Sequence, residues 1–153
     1  MNAYASLDAL KLLHGRALQE RDRAAGELRG SEDRLLRSRH MAGQLGDYRL
    51  EYTQRWSAQF GRGGAIEIVH CYQSFMRRLD EALVQQRLQV EAAERGVAAA
   101  RQKLLQAELR AASVARLIER REAELARARQ RREQRRDDEV AQHLALRRSV
   151  MHF

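Results

Sequence analysis

Between Val69 and Ala128 an apolar residue recurs at alternating steps of three and four, and the chain has no proline to interrupt it. The series runs Val69, Tyr72, Met76, Leu79, Leu83, Gln86, Val90, Ala93, Val97, Ala100, Leu104, Ala107, Ala111, Val114, Ile118, Arg121, Leu125 and Ala128. Only Gln86 and Arg121 break it, so sixteen of the eighteen positions are apolar. A seam sustained over that many heptads is covered only by another helix lying along it. The segment is therefore predicted to be one long strand of a coiled coil.

The partner strand is found upstream. Leu7, Leu10, Ala17, Ala24, Leu28, Leu35, Ala42, Leu45, Tyr52 and Trp56 follow the same spacing, with His14, Arg21, Ser31, Ser38 and Arg49 interrupting it. Five glycines, Gly15, Gly26, Gly30, Gly43 and Gly46, lie in this segment. Each interior glycine costs a helix about 1 kcal/mol against alanine, so this strand depends on its partner for order. Between the two seams stands Phe60-Gly61-Arg62-Gly63-Gly64-Ala65, a cluster dense enough in glycine to reverse the chain. The prediction is an all-α fold: a long two-helix antiparallel coiled-coil hairpin with a C-terminal helical overhang. Its parts are a helix over about 4–58, a turn over about 60–65 and a helix over about 66–150, in a single domain spanning 1–153. Folding about residue 62 or 63 sets residue i beside roughly 125 minus i. Leu7 then meets the neighbourhood of Ile118, and Leu45 that of Ala82.

Composition fits a rod with little interior, since 33% of residues are charged and 5% are aromatic. The net charge of +8 raises nucleic acid as a partner. Against it, the arginines alternate with glutamate and aspartate, and the basic C-terminal segment lacks aromatic rings on which bases stack. Nucleic acid is disfavoured, and a solvated helix face or an acidic protein partner accounts better for the charge. Enzymatic chemistry finds no footing. His14, His40, His70, His143 and His152 have no zinc-type spacing, and Gly61-Arg62-Gly63-Gly64 lacks the lysine and hydroxyl residue of a phosphate loop. The adjacent carboxylates Asp137 and Asp138 belong to an open rod surface. No cofactor, metal or small-molecule substrate is expected. Cys71, the single cysteine, has no partner for a disulfide and reads as a surface thiol. The opening Met1-Asn2-Ala3-Tyr4-Ala5-Ser6 has no basic region followed by an apolar run, and no stretch approaches the roughly 20 apolar residues of a membrane span. The expectation is a soluble cytoplasmic protein.

Past Ala128 the seam count falls on Arg132, Arg135, Glu139 and Gln142, where the first helix has run out of chain. Residues 127–139, RARQRREQRRDDE, keep good helix formers with opposite charges nearby, and Val140, Leu144 and Met151 restore a short apolar face. A protruding basic helix end of this kind suggests docking into something else.

The stretch LGDYRLEY from Leu45 to Tyr52, the glycine turn, and YQSFMRRLDEALVQQRLQV from Tyr72 to Val90 resemble the flagellar export protein FliJ family. Leu7-Asp8-Ala9-Leu10-Lys11 and the charged tail around Asp138-Glu139 extend the resemblance over nearly the whole chain. It implies a component of the flagellar type III export apparatus, similar in architecture to the central stalk of rotary ATPases. Such a stalk sits in the pore of the hexameric export ATPase and promotes its assembly and activity. It also links that ATPase to the export-gate platform in the membrane and escorts export chaperones, which places it peripherally at the cytoplasmic face of the inner membrane. The resemblance carries the gate-binding patch onto Phe75, Leu79, Ala82 and Gln86, the last replacing a histidine of some members. Their steps of four, three and four keep them on one stripe, although Leu79 and Gln86 also stand in the seam, where packing inside the hairpin is the competing reading. An inserted open end would bring Arg127, Arg131, Arg132, Arg135 and Arg136 to acidic loops of the ATPase. Two other readings stay open at this point. One is the equivalent stalk of a virulence type III secretion system, and the other is a basic coiled-coil adaptor associated with nucleic acid.

Overall fold

The computed structural model describes residues 3–152, in which the chain forms two helices, α1 (Ala3–Phe60) and α2 (Ile66–Met151). Among the described residues there is no strand, and the expected all-α antiparallel helical hairpin is what forms. The chain leaves α1 through the amides of Gly61, Arg62 and Gly63, which donate to the carbonyls of Ser57, Gln59 and Phe60 at 3.2, 3.2 and 3.1 Å. Gly63 takes φ of 84°, the left-handed conformation that a Cβ penalises, which is why glycine closes the helix here. The Ala65 carbonyl then accepts from the Ile68 and Val69 amides at 3.1 and 3.2 Å and opens α2. Glu67 places a negative charge at the positive end of that helix.

Two compact units make up the hairpin. In the unit Asp22–Gln106, Ala24 on α1 and Met76, Leu79, Val97 and Ala100 on α2 are the buried apolar residues. Ion pairs tie its helices together at Glu27–Lys103 (3.5 Å), Arg39–Glu94 (3.4 Å) and Arg49–Asp80 (2.5 Å). The other unit joins the chain up to Arg21 to the chain from Ala107 onward, and it buries Leu7 and Ala17 against a stripe of Ala107, Ala111 and Val114. Here the ties are Lys11–Glu122 (3.9 Å), Glu20–Arg110 (2.9 Å) and a hydrogen bond from Arg129 Nη2 to Tyr4 Oη (3.3 Å). All of these side chains are exposed, so they set register more than they stabilise.

Every seam position of α1 from Leu7 to Trp56 is at least half-buried, including the polar interruptions His14, Arg21, Ser31, Ser38 and Arg49. On α2 the same holds from Val69 to Ala128 with the exception of Arg121, which is exposed. Backbone geometry thus carries the seam straight through its polar members. Gln86 shows how one of them is satisfied: its side-chain amide donates to the Ser38 backbone carbonyl at 3.0 Å.

The pairing register differs from the expected sum of 125. Within the unit Asp22–Gln106, partner numbers add to 123 for Tyr48 with Phe75, 129 for Arg49 with Asp80 and 133 for Arg39 with Glu94. In the other unit they add to 130 for Glu20 with Arg110 and 133 for Lys11 with Glu122. The crossing itself, residues 61–65, is centred on Gly63 as expected, and Ser38 with Gln86 adds to 124; the larger sums belong to long charged side chains that reach along the rod. Through such contacts α1 meets α2 as far as Arg129 rather than to about residue 120.

Candidate protein-binding surfaces

Six of the eight aromatic residues of the chain meet next to the turn. Tyr48, Tyr52, Trp56 and Phe60 follow one another at i, i+4 along α1, with centroid separations of 5.7, 5.9 and 5.2 Å. Tyr72 enters the ladder from α2 against Trp56 and Phe60, each at 5.3 Å. Phe75 lies 4.4 Å from Tyr52 and 6.3 Å from Tyr48, the latter edge-on. Tilted and edge-on pairs at these separations are the favoured aromatic geometries. The ladder was legible in the i, i+4 spacing of the four α1 rings, a signal that counting seam positions alone passes over.

This cluster positions the first of the sequence-derived patches. Phe75 is half-buried, with its ring braced by the two tyrosines. Leu79 is 7% exposed and belongs to the hairpin interior, while Gln86 is half-buried and held by Ser38. Ala82 is exposed. The four residues are thus brought onto one stripe of α2, with Phe75 and Ala82 on its outward edge and Leu79 and Gln86 on its inward edge. Tyr48, 47% exposed, adds an apolar surface from α1 beside Phe75.

On the other flank of the seam, Arg49 spans from α1 to Asp80 over a groove of about 630 Å³ lined in part by Tyr72, Met76 and Val84. The hydrogen bond and charge of Asp80 raise the Arg49 guanidinium above its ordinary range, and the same hydrogen bond holds the Asp80 carboxyl below its own.

The second sequence-derived patch begins at the end of α1, level with Arg127, and runs past it. From Arg129 onward every described residue of α2 is exposed, yet the helix continues to Met151. Arg127, Arg131, Arg132, Arg135 and Arg136 are all exposed, and none makes a hydrogen bond or ion pair among the described residues. At 3.6 residues per turn they occupy about half of the circumference, which Asp138 and Glu139 share, with Glu133 and Asp137 on the other half. Val140, Leu144, Leu146, Val150 and Met151 follow as exposed apolar side chains.

Cys71 is a free, exposed thiol. Among the described residues no group of three or more His, Cys, Asp or Glu side chains is placed to hold a metal ion. No described helix is long and apolar enough to cross a membrane.

No curated protein and no solved structure matches the chain. A family model does: the one described as flagellar FliJ protein matches residues 6–149. That span contains both seams, the turn, the aromatic cluster and nearly all of the overhang. The chain belongs to the FliJ family, and with it to the components of flagellar type III protein export.

Proposed function

We propose that this protein acts in flagellar export as a single-domain stalk that binds the hexameric export ATPase and promotes its assembly and activity. The observation that carries the reading is the bare basic end of α2. Past Arg129 the helix runs on to Met151 with its arginines in no ion pair among the described residues and its apolar side chains uncovered. An uncovered helix of good formers is a ready insert for a pore, and Arg127, Arg131, Arg132, Arg135 and Arg136 would orient it against acidic loops there. Charge complementarity of this kind governs on-rate and orientation more than affinity.

In the same reading the stripe at the turn end links the ATPase to the export-gate platform. Phe75 and Ala82 make the contact, and Leu79 and Gln86 hold the stripe in place from inside the hairpin. Export chaperones are further protein partners, and the protein works peripherally at the cytoplasmic face of the inner membrane. Its role is that of a binding protein with no catalysis of its own.

The test is ATP hydrolysis by the cognate export ATPase titrated with this protein, while light scattering follows ring assembly. Stimulation with ring formation at about one stalk per hexamer is the expected result. Absence of both would overturn the stalk.

A further inference from the structure

The middle of the unit Asp22–Gln106 is built differently from its aromatic end. Gly96 is the single glycine of α2, and it lies at the level of Gly30 on α1, one turn from Gly26. Gly26, Gly30 and Gly96 line one hollow between the helices, flanked by the ties Glu27–Lys103 and Arg39–Glu94. Elsewhere in the paired helices, glycine on α1 faces a stretch of α2 that has none.

These three glycines are not required by the packing of the hairpin. A Cβ added at Gly30 or Gly96 meets nothing within 4 Å, and one at Gly26 meets only the Arg29 Nη2 tip at 4.0 Å. Nor does any of them take a positive φ. Alanine would fit at each position and favour the helix. The interface beside them is also thin. Two adjoining shallow hollows of about 720 and 370 Å³ share Ser31, Arg34 and Gly96 as walls. Gly30-Ser31 is moreover a Gly/Ser pair, one of the few causes of sharp helix bending.

We propose that the level of Gly26, Gly30 and Gly96 is a flexure. Both helices open and bend there on a faster timescale than at the aromatic cluster, which remains closed. The side chains buried at this level, Ala24, Val97 and Ala100, are small, and low local stability follows from that slight apolar area together with a glycine in each helix. The use of this flexure as a compliant joint between two bound partners rests on the stalk reading; its existence does not.

Amide hydrogen exchange on the full chain tests it, comparing the natural protein with the triple variant Gly26→Ala, Gly30→Ala, Gly96→Ala. In the natural protein, amides of residues 26–34 and 92–100 exchange at least about tenfold faster than those of 48–56 and 72–80. The triple variant slows the first set by about tenfold or more, leaves the second unchanged and melts at a higher temperature. A flagellated strain carrying it swims poorly despite the added stability. Uniform exchange along the natural hairpin, or equal slowing of both sets, overturns the flexure. Full swimming by the triple variant overturns the joint, even where ATPase stimulation upholds the stalk.

Discussion

Arg49 occupies a seam position of α1, yet its Nε donates to Asp80 Oδ1 at 2.5 Å on the flank of α2. The cation reaches sideways out of the interface, so its stem covers apolar surface while its head pairs at the rim. This pair makes the stability of the hairpin pH-dependent in one direction. The Asp80 carboxyl is held below its ordinary value by the Arg49 hydrogen bond, so its contribution is fully present above the usual aspartate range, about 4. It is lost as pH falls through the lowered value. Thermal melts of the natural protein and Asp80→Asn should therefore differ at pH 7 and converge in strong acid. A difference that persists unchanged at pH 2 would show that the carboxylate charge is not what Asp80 contributes.

Tyr52 is the closest of the rings to Phe75, at 4.4 Å against 6.3 Å for Tyr48. A double-mutant cycle in urea should give a Tyr52–Phe75 coupling of about 0.5–1.5 kcal/mol. The Tyr48–Phe75 coupling should be smaller. Equal couplings would mean that the cluster acts through bulk burial rather than through ring geometry.

Gln86 and Ser38 make opposite outcomes from two substitutions at one site. Gln86→Ala removes the second donor to the Ser38 carbonyl and leaves a gap in the seam, and should cost about 1 kcal/mol. Gln86→Leu restores an apolar seam residue, and the denaturation midpoint should return to near that of the natural protein or above it. Should leucine prove as harmful as alanine, the amide hydrogen bond matters more to the hairpin than seam burial does.

Arg131, Arg132, Arg135 and Arg136 make no ion pair among the described residues that their loss would break. Reversing all four to glutamate should leave helical content unchanged by circular dichroism. Export-ATPase binding should fall by more than tenfold at low salt and less at high salt, where the charges are screened. Binding that is indifferent to the reversal at both salt concentrations would remove this segment from the contact.

At the turn, Gly63 stands at φ of 84° with open space around it. Its cost on substitution is therefore conformational, about 1 kcal/mol for Gly63→Ala and less for Gly63→Asn, which tolerates the left-handed region. Chemical denaturation of the two variants gives the ranking directly.

The seam of α2 predicted its buried face almost residue by residue, because a step of three and four leaves a helix only one face to cover. The polar members of the α1 seam were harder to read. His14, Ser31 and Arg49 look like breaks in a string of letters, but the backbone carries them inward regardless. Pairing away from the turn runs ahead of a constant sum of 125, up to 133 for Lys11 with Glu122, because long side chains reach along the rod and a string does not fix where they meet. Phe75 and Leu79 show the limit for sites. Their common stripe is evident from spacing, whereas the bracing of one by Tyr52 and the burial of the other depend on α1.

Trp56 is the only indole in the chain, and it stands between Tyr52, Phe60 and Tyr72, all within 6 Å. The protein therefore carries an optical probe confined to one locality. Its emission reports the aromatic end alone, whereas ellipticity averages over both helices. Following one denaturation by both signals would separate loss of the glycine-bearing middle from loss of the turn, without attaching a single label.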